Sequence, residues 1–169
     1  MSPIRPAFAC LSAFACLSLA VVPGIAAAPP ASPPEISAAG WMVATIPWQT
    51  QAPNGTRFAL LEGRRDQAGV PFSYAFFIPA GTWDAPHSHS ATARVFVARG
   101  ALRIGYGEHA DRARAVTYPA GSFVLVPAGA VHFDGADEDT VIIGTAAGAW
   151  STHYLDGSAP ASAGTPIRH

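Results

Sequence analysis

Along the middle of the chain, short runs of apolar and β-branched residues alternate with turns that contain Gly or Pro. Residues 57–61, 72–78, 94–98, 102–106, 116–118, 122–126, 140–145 and 150–155 are such runs. They are rich in Phe, Tyr, Val and Ile, which suit a pleated, half-buried surface. In residues 72–78 (FSYAFFI) strand alternation puts Phe72, Tyr74, Phe76 and Ile78 on one face. Pro79-Ala80-Gly81 and Arg99-Gly100 close two of the runs, and Pro119-Ala120-Gly121 and Pro127-Ala128-Gly129 flank a third. No window sustains a helical period over ten residues. The pattern predicts an all-β domain over residues 40–155, built as a single small antiparallel β-barrel or sandwich.

The two ends read differently. Arg5 is followed by an uncharged apolar stretch over residues 7–22, which includes the repeated hexamer AFACLS. Pro23 and Gly24 break it, and Ala26, Ala27 and Ala28 offer small residues for cleavage. This predicts a signal peptide over residues 1–28 and an exported product, periplasmic or secreted. The stretch is shorter than the roughly 20 residues that span a bilayer, so no stable membrane anchor is expected after cleavage. Residues 29–39 read as a Pro-rich linker and residues 156–169 as a disordered tail.

Composition narrows the chemistry. All ten basic residues are Arg, against eleven acids. A near-neutral chain without Lys argues against nucleic acid as a partner. Cys10 and Cys16 both lie in the leader. Cleavage would remove them, and with them any thiol nucleophile, thiolate ligand or disulfide. There is no Ser-His-Asp arrangement or Gly-rich phosphate loop, and Gly105-x-Gly107 reads as a turn. Imidazole is the soft chemistry that is left.

His87 and His89 stand two apart, so on an extended segment both face one side, about 7 Å from each other. His132 follows after its own Pro-x-Gly turn. Imidazoles suit Zn, Cu, Fe and Ni. The spacing continues as Gly81-x5-His87-x-His89, then Gly100, then Gly121-x5-Pro127-x-Gly129-x2-His132. Over residues 81–136 this resembles the two sequence motifs of the cupin superfamily. The resemblance implies a double-stranded β-helix, the cupin jelly roll, with a metal in its mouth. The ligands carried over are His87, His89 and His132. The resemblance departs at two positions. Ala93 stands where the first motif has its Glu ligand, and Ala136 where the second has Asn.

Three neutral imidazoles leave a divalent ion its full charge and extra open positions, which favours transition metals such as Fe, Zn, Ni or Cu. Asp84, three residues before His87, is a candidate substitute for the missing carboxylate. Tyr74, Phe76, Trp83, Phe123 and Trp150, with Phe133, are candidates for an apolar substrate pocket or for core. Arg103 is a surface arginine or a carboxylate binder. His109, His153 and His169 have no partner in the pattern.

The expected function is an exported metal-binding cupin. One form is a metal-dependent oxygenase or lyase/isomerase acting on a small organic acid or phenol. The alternatives are a non-catalytic small-molecule or metal binding module, and a structural cupin with an empty barrel. The expected partner is a small-molecule ligand or substrate, and a homodimer is left open.

Overall fold

The computed structural model describes residues 38–157 and 165–167. The expected signal peptide, the linker up to residue 37, and tail residues 158–164 and 168–169 lie outside the described residues. Twelve strands follow one another: β1 (Thr50–Gln51), β2 (Arg57–Gly63), β3 (Pro71–Ile78), β4 (His87–His89), β5 (Ala93–Arg99) and β6 (Ala101–Tyr106) form the first half. Then come β7 (Val116–Pro119), β8 (Phe123–Val126), β9 (His132–Gly135), β10 (Thr140–Ala147), β11 (Thr152–Tyr154) and β12 (Thr165–Pro166). Among the described residues the helical segments are two 3₁₀ turns, Val43–Thr45 and Arg112–Arg114. None of these residues forms a helix long and apolar enough to cross a membrane.

The strands form two antiparallel sheets, in the orders β12-β1-β2-β3-β10-β5-β8 and β11-β4-β9-β6-β7. The expected all-β jelly roll is present. Its ladders remain in two sheets rather than closing into one hydrogen-bonded barrel. The backbone of the large sheet is the eight-residue pairing of β3 with β10, from Thr140 opposite Ile78 to Ala147 opposite Pro71.

The core lies between the sheets. Ile78, Val95, Val97, Val124, Val126 and Ile142 from the large sheet pack with Leu102 and Ile104 from the small one. Each such side chain removed from water stabilises the fold by about 1.5–3 kcal/mol. Alternation explains the selection: in β5 and β8 every second residue is buried, so Ala93, Val95 and Val97 face in while Arg94 and Phe96 face out. The strand β3 is buried on both sides. Phe72 and Tyr74 face inward, and Ala75, on the other side, packs with Ala59, Val141 and Ile46. The segment before β1 therefore covers the outer face of β3 and β10.

The turn at Gly100 joins β5 to β6 with a φ of +74°. An added Cβ there would press on the Thr140 side chain and on the backbone of Asp139 and Thr140. Thr140 is fully buried, and its hydroxyl accepts the Ala101 N–H at 3.1 Å. Glycine at this motif position thus serves both a left-handed turn and a close approach.

Two expectations about extent are corrected. The run over residues 150–155 shortens to β11, Thr152–Tyr154. The tail is not wholly irregular: Thr165–Pro166 pairs with β1, and the Ile167 N–H donates to the Gln49 carbonyl at 2.8 Å. The edge strand β1 presents unpaired backbone groups that a further short strand can satisfy.

Candidate metal centre

The site begins with β4. Its neighbours are β9 on one side and β11 on the other, with His87 directly opposite His132 and His89 opposite Thr152. The two-residue period puts His87 and His89 on one face, and the cross-strand pairing sets His132 beside them. One ring nitrogen from each of the three lies within 4.8 Å of the others. The ring centroids are 4.3 Å apart for His87 and His132, 4.8 Å for His87 and His89, and 5.0 Å for His89 and His132. His87 and His132 are each 2% exposed.

Second contacts fix the tautomers. Nδ1 of His87 lies 2.7 Å from the Ala85 carbonyl, and Nδ1 of His132 lies 2.9 Å from the Ala130 carbonyl. A carbonyl only accepts, so each Nδ1 carries the hydrogen and donates it. In the neutral ring Nε2 is then left with its lone pair. Nδ1 of His89 meets the Thr152 hydroxyl at 3.2 Å. Outer partners of this kind orient metal-ligating imidazoles.

Burial and neighbouring charge favour the neutral form of two of the rings. Burial, then the neighbouring His87 and His132 and the charge of Arg65, push the pKa of His89 down to about 2. Burial also lowers that of His132, opposed in part by Asp134. Neutral imidazole is the form that binds metal.

A carboxylate borders the cluster. Oδ2 of Asp134 lies 3.8 Å from Nε2 of His87 and 3.8 Å from Nε2 of His132. Asp134 is two residues beyond His132 on β9 and so shares its face. The donor set is then three imidazole rings and one adjacent carboxylate oxygen, which suits a divalent transition ion. Asp134 is absent from the sequence-based candidates. The readable signal was the alternation His132-x-Asp134 within a segment that pairs as a strand.

Asp84 stands elsewhere. Its Oδ2 lies 3.9 Å from Nδ1 of His87, the nitrogen turned away from the cluster, and accepts the Tyr154 hydroxyl at 2.6 Å. Burial and the nearby Asp134 raise its pKa. It backs His87 rather than filling the place of the family's Glu. Ala93 occupies that place as a 2% exposed residue opposite Val126, and Ala136 is fully buried.

The histidines and Asp134 share a cavity of about 100 Å³ with Phe72, Tyr74, Phe76 and Trp150. Trp150 stacks on His89 with centroids 4.3 Å apart and meets Phe72 edge-on at 5.7 Å. Tyr74, Phe76 and Trp150 are among the residues that line this cavity, and Trp83 and Phe123 are not, which corrects their placement as pocket residues. Phe123 is 62% exposed, because Val124 and Val126 take the inward phase of β8. Trp83 bridges to Gly135, the guanidinium groups of Arg103 and Arg112 each lie over its ring, and Phe133 is beside it. Phe133 is buried against Gly105, where an added Cβ would strike its ring.

Arg103 is committed to structure. It pairs with Asp137 at 2.7 Å and donates to the Arg112 carbonyl at 2.7 Å. His109 is exposed, and His153, also exposed, bonds the Ser151 hydroxyl at 2.8 Å. His169 lies outside the described residues.

A two-sheet jelly roll with imidazoles converging from β4 and β9 defines a cupin. The chain belongs to the ChrR cupin-like domain family, whose sequence pattern matches residues 38–151. No curated protein matches the chain. Solved structures give the same fold. A cupin-like protein from Thermotoga maritima is 19% identical, with a TM-score of 0.51 over 62% of this chain and 85% of that one. The DMSP lyase DddQ from Ruegeria pomeroyi is 18% identical, with a TM-score of 0.50 over 62% of this chain and 54% of that one.

Proposed function

We propose that His87, His89 and His132, completed by Asp134, hold a divalent transition metal (Fe, Zn, Ni or Cu), and that the site acts on a small organic acid or phenol in the adjoining cavity. The observation that carries this reading is the cluster of three imidazole rings, with the Asp134 carboxylate 3.8 Å from two of them. A bound ion of this kind supplies Lewis-acid polarisation of a ligand oxygen, or redox chemistry where it is iron or copper. The chain's own residues do the rest. The Ala85 and Ala130 carbonyls orient two imidazoles. Asp134 offsets part of the ionic charge. Phe72, Phe76 and Trp150 keep the adjoining space apolar.

An oxygenase and a lyase/isomerase both fit this arrangement. The likeness to a DMSP lyase is at the level of fold and does not choose between them. The apolar leader over residues 1–28 supports export to the periplasm or medium. The test is oxygen uptake and product formation with phenols and with hydroxy and keto acids, by the metal-loaded protein. Turnover that disappears in His132→Ala supports an enzyme. Ligand binding without turnover of any compound makes the protein a binding module instead.

A further inference from the structure

Arg65 belongs to none of the motifs above, yet it lines the same cavity as the histidines. It sits in the turn between β2 and β3, where its carbonyl accepts the Trp150 N–H at 2.8 Å. Its guanidinium lies over the Phe58 ring, 5.2 Å from the centroid. The preceding Arg64 has an acidic partner, Asp66 at 3.1 Å. Among the described residues, no carboxylate pairs with Arg65. An arginine stays charged when half-buried, and such a charge is costly without a counter-ion.

Tyr74 lines the same cavity and packs in one cluster with Phe58, the ring that Arg65 covers. Tyr74 is 5% exposed and lines the cavity. Burial holds its phenol in the protonated, donating form. Its ring lies across Gly144, its partner in the β3–β10 ladder, where any added Cβ would collide with it. The ring position is therefore built by the choice of glycine opposite. Around these two donors the wall is Phe58, Phe72 and Phe76.

We propose that Arg65 and Tyr74 form a carboxylate-recognising subsite, so that the cavity's ligand is a small organic acid with an apolar body rather than a phenol. A guanidinium presents parallel N–H groups that match a carboxylate, and the phenol adds a third donor. The acid's carboxylate meets Arg65, and the rest of the molecule extends along the aromatic wall toward the imidazoles. This deepens the function proposed above and rests on that reading of the cavity, but the Arg65 subsite itself needs no metal.

The test is calorimetric titration of the full chain with benzoate, benzamide and phenol, in zinc-loaded and metal-free form. Wild type is expected to bind benzoate at least about tenfold more tightly than benzamide or phenol, the size of one good charge-assisted hydrogen bond. Arg65→Met keeps the stem over Phe58 and should remove that preference in both forms. Tyr74→Phe should weaken benzoate by about threefold to tenfold and leave benzamide unchanged. Should Arg65→Met not fold, the benzoate-to-benzamide ratio of wild type and of Tyr74→Phe decides the matter. Failure of benzoate to bind, equal binding of the amide, or an unchanged preference in Arg65→Met overturns the subsite and leaves the metal reading standing. Failure to bind zinc, with the Arg65-dependent preference intact, overturns the metal reading alone.

Discussion

The carboxylate of Asp134 lies 3.8 Å from Nε2 of His132, two residues before it on the same strand. The strand period makes this contact, since residues i and i+2 share a face. It places an acidic oxygen beside a cluster whose usual acidic position, Ala93, holds only a methyl group. The carboxylate beside these imidazoles comes from β9, whereas β5 offers none at Ala93.

Asp134→Asn is expected to weaken zinc binding by about tenfold or more, since it removes the negative charge and keeps the shape. Adding Ala93→Glu to that variant should recover part of the loss. Competition titration with a chromophoric chelator measures both. Unchanged affinity in Asp134→Asn would remove Asp134 from the donor set.

Thr152→Val deletes the hydroxyl that meets Nδ1 of His89 and leaves the ring itself in place. Outer partners of metal-ligating histidines are commonly worth about tenfold in affinity. The same titration should show a weakening of that order, with the melting temperature of the metal-free protein little changed. A large fall in melting temperature without a change in affinity would make Thr152 a packing residue.

The metal-free protein should lose stability on mild acidification. The folded-state pKa of His89 is about 2 against 6.5 for the free side chain, and that of His132 is also lowered. Above pH 7 neither state binds a proton at these rings. As pH falls through 6.5 the unfolded chain takes up protons that the folded rings refuse. Stability then falls by up to about 1.4 kcal/mol per pH unit for each ring. Asp84 acts in the opposite sense, its raised pKa favouring the folded state nearer its own titration range. Urea midpoints at pH 7.5 and 5.5 check the sign, which a higher midpoint at pH 5.5 would reverse.

Gly100→Ala should destabilise the protein by more than about 1 kcal/mol. The new Cβ must enter a left-handed turn and also press on the backbone of Thr140. Chemical denaturation would show this, and a neutral result would mean that the β5–β6 turn relaxes easily.

Much of the fold could be read from alternation and punctuation. The long strands β2, β3, β5, β6 and β10 are apolar or β-branched runs bounded by turns, and need no partner to be recognised. The strands that carry the site could not be found that way. β4 and β9 are short, and their inward positions are filled by His87, His89 and His132, which count as polar. Motif spacing located the three histidines. Asp134 escaped because its role depends on the register of β9 against β4. Arg65 escaped because a turn residue after β2 reaches the cavity only through the packing of Trp150 and Phe58. Phe123 shows the reverse error: its type suggests burial, but the phase of β8 is set by Val124 and Val126 against β5.

The most direct test of the central claim is the metal content of the purified full chain, after reconstitution with zinc, nickel or ferrous iron and removal of excess. The account predicts one equivalent of metal per chain for wild type, and strong loss in His132→Ala and His87→Ala with the β-sheet circular dichroism retained. Metal well below one equivalent in wild type, or occupancy unchanged by His132→Ala, would contradict it.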